Sequence, residues 1–328
     1  MSINETATKA TIIATAALTL YAVYRLIVPS HQAELGSLAS VKPKVRHLVE
    51  KHYPITPDSK MAPSKLGPTY YRILGNPTGE RIILIHGISG TWASMPQVLD
   101  SLVSRGYQVC VYDVYGRGYS ASPGVKYDHV TYTQQLLDLM NHISWPRANI
   151  LGYSMGGGIA TYFAAAHPER VDRLVLVAPA GKIVGAPVIG PLFSNTIGRK
   201  YLLGRSTAGY VNGPYGKEPH MLHFAEVQEL NILHNPGFIR AYSSTVSDGP
   251  IWGAHGAYER VGKLLGNRVL CVWGTEDTTT SYETEMPHFK RLMPNAKIVE
   301  VEGAGHSFLP ETCEVVLEPV AAFLKERQ

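Results

Sequence analysis

The feature that most constrains this 328-residue chain is a change of rhythm at Thr69. From there on, short apolar runs alternate with longer amphipathic ones. The runs at 70–74 (YYRIL), 81–87 (RIILIHG), 107–113 (YQVCVYD), 149–154 (NILGYS), 173–179 (RLVLVAP), 268–274 (RVLCVWG) and 297–303 (KIVEVEG) have the length and composition of strands. The later ones are almost continuously hydrophobic, as strands covered on both faces must be. Between them PQVLDSLVSRG, TYTQQLLDLMNHI and GGGIATYFAAAHPER read as helices, and ETCEVVLEPVAAFLKER follows the last strand. This alternation predicts an α/β fold, a mainly parallel sheet with crossover helices on both faces. One interval breaks the rhythm. Residues 181–263 hold only irregular and helical segments, and an insertion of that length reads as a lid or binding element. Its apolar content suits a lid over a lipophilic substrate, with packing onto the sheet as the alternative.

Composition enters where it excludes function classes. With 45% hydrophobic and 17% charged residues the chain can bury a sizeable core and is not disordered. The net charge of +4 is modest, its basic residues are scattered, and no nucleic-acid motif is present, which argues against a nucleic-acid partner. Lys42, Lys44, Arg46 and Lys51 thicken the stretch before the domain and read as a solvated or membrane-surface segment. The three cysteines are too dispersed for a disulfide scaffold. Cys110 and Cys271 fall in strand-like runs and are expected as buried thiols, which favours a reducing, intracellular setting.

Residues 10–30, ATIIATAALTLYAVYRLIVPS, carry one charge, Arg25. A membrane helix needs about 20 mostly apolar residues, and an arginine near one end can snorkel. We therefore expect residues 1–30 to be a membrane anchor. A cleaved signal peptide, leading to the secretory pathway, and a surface helix are the rivals, although the flank YRLIVPS lacks a small-x-small cleavage site. Lys and Arg are more numerous after the segment than before it, which favours a cytosolic main domain. The expected organisation is an anchor at 1–30, a linker with some helix at 31–68, and one domain at 69–328.

Chemistry gathers at three strand ends. Gly152-Tyr153-Ser154-Met155-Gly156 fits G-x-S-x-G, with a strand before it and a helix after it. In such an elbow the serine occupies a strained turn, its hydroxyl lifted clear of the sheet at a helix N-terminus. VWGTEDTTT ends a later strand with Asp277, and VEGAGHSFLPE follows the next with His306 in a glycine loop. Serine needs a base to take its proton, and the base needs a carboxylate to hold its tautomer. Ser154, Asp277 and His306 supply these roles in the chain order Ser, acid, His; Glu276 adjoins Asp277 as the alternative acid. The loop LIHGISGTW offers the backbone N–H of Ile88, and with that of Met155 it would form an oxyanion hole. His86 reads as a brace for this loop. Ser89, Trp92 and Tyr153 are candidates for lining a substrate pocket. GRGYSA at 116–121 mimics a dinucleotide fingerprint, but Pro123 and Gly124 follow where a helix is required. His220 and His223 lack the partners of a zinc site.

Taken together, HGISG, YDVYGRGYS, GYSMGGG, WGTED and GAGHS resemble the signature segments of the α/β-hydrolase superfamily, from about residue 69 to the C-terminus. The resemblance implies an α/β-hydrolase fold with an eight-stranded sheet, a lid between strands six and seven, and no cofactor; the residues themselves offer no metal site. It implies Ser154 as nucleophile, Asp277 as acid, His306 as base, and Ile88 and Met155 as oxyanion donors, with Asp113 and Arg117 in a structural turn. A serine at the elbow is unlike the aspartate of haloalkane dehalogenases and epoxide hydrolases, and HGIS is not the HGGG loop of many lipases. The expected activity is hydrolysis of carboxylic esters of small lipophilic substrates through an acyl-enzyme, in the manner of an esterase or monoacylglycerol lipase. A lactonase, thioesterase or C–C bond hydrolase would use the same residues. Outside enzymes, the alternative is a ligand-binding receptor on the same fold.

Overall fold

The computed structural model of the chain describes residues 36–181, 219–307, 309 and 313–326. The expected anchor at 1–30 and residues 182–218 of the expected lid lie outside the described residues. Among those described, no helix is long and apolar enough to cross a membrane.

Eight strands form one sheet: β1 (Ser59–Ala62), β2 (Thr69–Gly75), β3 (Arg81–Ile85), β4 (Gln108–Tyr112), β5 (Ala148–Tyr153), β6 (Val171–Val177), β7 (Val269–Gly274) and β8 (Lys297–Val301). Their spatial order is β1-β2-β4-β3-β5-β6-β7-β8. β1–β2 and β2–β4 pair antiparallel, and every other pair is parallel. This is the α/β-hydrolase fold. The seven strand candidates all correspond to strands. The hydrophobic runs of β5, β6 and β7 are buried almost throughout, whereas the edge strand β8 is half exposed. Central strands meet helices on both faces and need apolar residues at every position; an edge strand does not.

The described α-helices are α1 (Pro43–His52), α2 (Pro96–Ser104), α3 (His129–His142), α4 (Met155–Ala166), α5 (Pro219–His234), α6 (Phe238–Asp248), α7 (His255–Leu265), α8 (Tyr282–Leu292) and α9 (Cys313–Lys325). α2 packs with α9, while α3, α4, α7 and α8 pack successively against one another. α4, built from MGGGIATYFAAA, is buried on nearly every side. Its small residues let the backbone lie close to the sheet. α3 is capped by Asp128, whose side chain accepts the Thr131 N–H at 2.9 Å and so satisfies one of the free donors of the first turn.

Two expectations need correction. The stretch at 31–68 is not a linker in its described part, residues 36–68. Leu38, Val41 and Val49 are buried against Tyr53, Tyr70 and Tyr119, together with Val227 and Leu230 of α5, and β1 extends the sheet. β1 (SKMA) was invisible because a four-residue edge strand with one buried position carries no period-2 signal. The folded unit therefore begins well before residue 69. Within the interval 181–263, α7 is not lid material: it packs on α4 and α8, and its Tyr258, Val261 and Leu265 belong to the main core.

Candidate active site

Parallel pairing carries the loops that matter to one edge of the sheet. β3 and β5 are in register with Ile85 beside Gly152, β5 and β6 with Tyr153 beside Val177, and β7 and β8 with Gly274 beside Val301. The segments after β3, β5, β7 and β8 therefore emerge together at the carboxyl ends of the strands, where open α/β sheets bind their ligands.

Ser154 lies between β5 and α4 with φ 54° and ψ −119°. A non-glycine residue held in such a conformation costs about 1–3 kcal/mol and persists only when its surroundings over-determine it. They do so here. The Ser154 N–H donates to Val177 O at 3.0 Å, and its carbonyl accepts from Gly157 at 2.9 Å and Ala180 at 2.8 Å. The turn is also too tight for side chains at its flanks. A Cβ on Gly152 would come within 2.3 Å of Gly156 O, and one on Gly156 within 2.1 Å of Ile85 O. The glycines thus allow close approach of strand and helix, and the serine carries the strain.

His306 and Asp277 meet this hydroxyl. His306 Nε2 is 3.0 Å from Ser154 Oγ, and its Nδ1 is 2.8 Å from Asp277 Oδ2. Asp277 is buried, 3% exposed, and more groups than the imidazole hold it. Its Oδ1 accepts the N–H groups of Thr279 at 2.8 Å and Thr280 at 2.9 Å. Its Oδ2 also accepts the Thr280 hydroxyl at 2.7 Å and the Trp273 indole N–H at 3.2 Å. Burial alone would raise this carboxyl, but the hydrogen bonds and charge attraction from His306, with those from Thr280, outweigh it and hold the pKa below the usual value. Glu276, next in the chain, is exposed. The arrangement brings the three expected side chains into one relay: an ionised carboxylate orients a ring whose other nitrogen faces a hydroxyl.

The loop after β3 is braced from below. His86 is buried, with Nδ1–H donating to Gly87 O at 2.8 Å and Nε2 accepting the Val114 N–H at 3.1 Å. Burial pushes its pKa down to about 3, so it stays neutral and has no nitrogen left for proton transfer. The buried Arg117 donates from Nε to Ile88 O at 3.1 Å, and from its terminal nitrogens to Tyr115 O, Tyr132 and Thr245. Asp113 accepts from the Tyr53 hydroxyl and from the N–H groups of Trp92 and Tyr119. Ile88 lines the same cavity as Ser154. Met155 is the first residue of α4, so its N–H has no acceptor within the helix.

The cavity over Ser154 has a volume of about 320 Å³. Of the expected pocket residues, Ser89 and Tyr153 line it and Trp92 does not. Trp92 turns the other way, with its ring 5.7 Å from that of Tyr53 and under the Arg72 guanidinium at 4.3 Å. It belongs to the packing around Asp113. Tyr153 does more than line the wall: its ring stacks on the His306 imidazole at 5.6 Å, and its hydroxyl donates to His306 O at 3.0 Å. A larger hollow of about 840 Å³ lies at the opposite strand ends, near Arg81, Asn149 and Arg173, and contains none of these groups. Among the described residues, no cluster of His, Cys, Asp or Glu is placed to hold a metal ion.

Sequence reasoning missed the far wall. Phe224, Gln228 and Ile232 of α5, with Phe238 and Tyr242 of α6, close the cavity opposite Ser154. The first three recur every fourth residue, a helical stripe that could have marked them. Thr280 was also missed, although a threonine run directly after a buried aspartate is the pattern of a side chain capped by its own loop.

This architecture is shared with known proteins. A family model described as alpha/beta hydrolase fold matches residues 80–312. An uncharacterized protein of Mycobacterium tuberculosis is 28% identical over 250 residues, 72% of each chain. The non-heme chloroperoxidase of Streptomyces lividans is 27% identical over 274 residues, 78% of this chain and 95% of that one. Among solved structures, the enol-lactonase from Burkholderia xenovorans superposes with a TM-score of 0.69 at 21% identity, covering 81% of this chain and 100% of its own. The carboxylesterase CesB from Bacillus subtilis does so with 0.66 at 18% identity, covering 86% and 96%. These structural likenesses speak to the fold.

Proposed function

The chain belongs to the alpha/beta hydrolase fold family, and on that premise we propose that it is a serine hydrolase cleaving carboxylic esters of lipophilic substrates through an acyl-enzyme. The observation that carries the proposal is the continuous relay from Asp277 Oδ2 to His306 Nδ1 at 2.8 Å and from His306 Nε2 to Ser154 Oγ at 3.0 Å. Ser154 attacks the ester carbonyl while His306 Nε2 takes its proton. The imidazolium is stabilised by Asp277, and the backbone N–H groups of Ile88 and Met155 receive the negative charge on the carbonyl oxygen. Collapse of the tetrahedral intermediate breaks the C–O bond, and His306 returns the proton to the leaving alcohol. Water, activated by the same imidazole, then releases the acid. Loss of a single oxyanion donor in such a site costs about 10²–10³ in turnover. The apolar part of the cavity wall, Phe224, Ile232 and Phe238, supports a lipophilic substrate.

A fluorophosphonate probe tests the mechanism: wild type labels and Ser154→Ala does not. Well-folded wild type that resists labelling would favour a receptor on this fold. A panel of p-nitrophenyl esters, lactones and monoacylglycerols, with His306→Ala as control, separates the ester reading from a lactonase. We also propose that residues 1–30 tether the domain, 69–328 with the preceding packed segment, to a membrane with its active site in the cytosol. Deleting residues 1–30 is expected to leave ester turnover intact and to abolish pelleting with membranes; a deletion variant that still pellets refutes the tether.

A further inference from the structure

Gln228 stands out in the cavity wall. It projects from α5, is 3% exposed, and lines the same cavity as Ser154 and His306. Its Oε1 is buried without a hydrogen-bond partner. Other buried polar atoms among the described residues lack partners too, on Trp92, Tyr112, Ser122 and Arg170, but none of these residues lines this cavity. The next amides along the chain, Asn231 on α5 and Asn235 just past its end, are fully used within the fold. Asn231 accepts the Gly118 N–H at 2.9 Å and donates to Val227 O at 3.0 Å, and Asn235 donates to Asn231 Oδ1 at 3.1 Å. One turn to either side of Gln228 the wall is apolar, with Phe224 and Ile232. An amide left unmet in such a wall is a net loss of stability that a methionine or leucine would avoid. If the substrate were hydrocarbon on both sides of the ester, nothing would offset that loss.

We infer that Gln228 recognises a hydroxyl of the substrate, so that the preferred esters carry a free hydroxyl on the acyl or the alcohol portion. A hydroxyl both donates and accepts, and it therefore satisfies the amide in either orientation of its O and N ends. A site built to hydrogen-bond a hydroxyl discriminates strongly against the analogue that lacks it, because the buried polar group is then left unpaired. Gln228 is thus a specificity-determining residue at the site of the proposed hydrolase, and this inference rests on that reading.

The test uses the full chain and two matched ester pairs. For the acyl side the pair is p-nitrophenyl 3-hydroxybutyrate against p-nitrophenyl butyrate. For the alcohol side it is glyceryl monobutyrate against propyl butyrate. Wild type is expected to favour the hydroxylated member of at least one pair by about tenfold or more in kcat/KM. In Gln228→Met that ratio falls toward one while the melting temperature rises, since an unpaired buried group has been removed. Gln228→Asn keeps the polarity but draws the amide back by one carbon, and it also loses the preference. A ratio near one for both pairs in labelled wild type overturns the inference and leaves the hydrolase reading standing. So does an unchanged ratio in both variants. Equal loss on both members with a lower melting temperature would make Gln228 structural and overturn it as well. Wild type that fails to label with fluorophosphonate removes the hydrolase reading, and this inference with it.

Discussion

Replacing Asp277 by asparagine should cost about three to four orders of magnitude in kcat/KM, and the geometry says why. Asp277 Oδ1 faces two backbone N–H groups, from Thr279 and Thr280, which cannot turn away. The introduced amide must therefore place its oxygen there and its NH₂ at the Oδ2 position. That position faces His306 Nδ1 at 2.8 Å, the Thr280 hydroxyl at 2.7 Å and the Trp273 N–H at 3.2 Å. The hydroxyl can rotate, but the indole cannot. The imidazole answers by presenting a bare Nδ1 to the new donor, which leaves the proton on Nε2, aimed at Ser154. In that tautomer His306 cannot take the serine proton. A wrong-tautomer substitution of this kind lowers turnover by about 10⁴ in a serine protease, and about 10³–10⁴ corresponds to roughly 4–5.5 kcal/mol of barrier. The orphaned Trp273 N–H adds about 1–3 kcal/mol of lost stability. The assay is kcat/KM on p-nitrophenyl butyrate beside a thermal melt, with Glu276→Gln as comparison, since that exposed side chain should change activity little. Asp277→Asn activity within about tenfold of wild type, or an equal loss in Glu276→Gln, would refute the reasoning.

Two further outcomes follow from packing and burial. Gly156→Ala places a Cβ within 2.1 Å of the Ile85 carbonyl, a backbone atom that cannot step aside, so melting temperature and labelling of Ser154 should both fall. Overpacking of this kind costs about 1–3 kcal/mol or more. Gly256→Ala, on α7 where the added carbon meets nothing within 4 Å beyond its own turn of helix, should instead be neutral or slightly stabilising, and an equal effect at both sites would contradict the steric argument. Tyr53→Phe removes a hydroxyl that donates to both oxygens of Asp113 at 2.7 Å. Burial pushes the Asp113 carboxyl up to about 7 against the hydrogen bonds it accepts, whereas in the unfolded chain it ionises near about 3.9. Its contribution to stability is thus full below about pH 4 and is lost as pH rises through about 7. The Tyr53 hydroxyl favours the ionised form, so Tyr53→Phe should destabilise more at about pH 8 than at about pH 5, by about 1–3 kcal/mol at the higher value. Chemical denaturation at the two pH values reads this, and equal losses would sink the assignment.

Much of this protein is written in local pattern. The apolar runs from 70 to 301 announce seven of the eight strands, most plainly the central ones, which meet a helix on both faces and must be hydrophobic at every position. The glycines around Ser154 announce the elbow because no side chain fits between β5, α4 and β3. The chain order of Ser154, Asp277 and His306 was legible as well, since each follows a strand in a parallel sheet and all such ends point the same way.

Tertiary structure decided what pattern could not carry. Asp277 and Glu276 are neighbours in sequence, and only the fold buries one among five hydrogen-bond donors and leaves the other in water. Trp92 sits in a glycine loop like a pocket residue, yet the segment around Tyr53 draws it to the opposite side. That segment reads as linker because its contacts, Tyr53 to Asp113 and Val49 near α5, join residues far apart in the chain and leave no periodic trace. The same holds for the wall of Phe224, Gln228 and Ile232, whose place over Ser154 depends on how α5 crosses the strand ends. Periodicity records how much of each element is buried; which partner buries it is a property of pairings that only the folded chain makes.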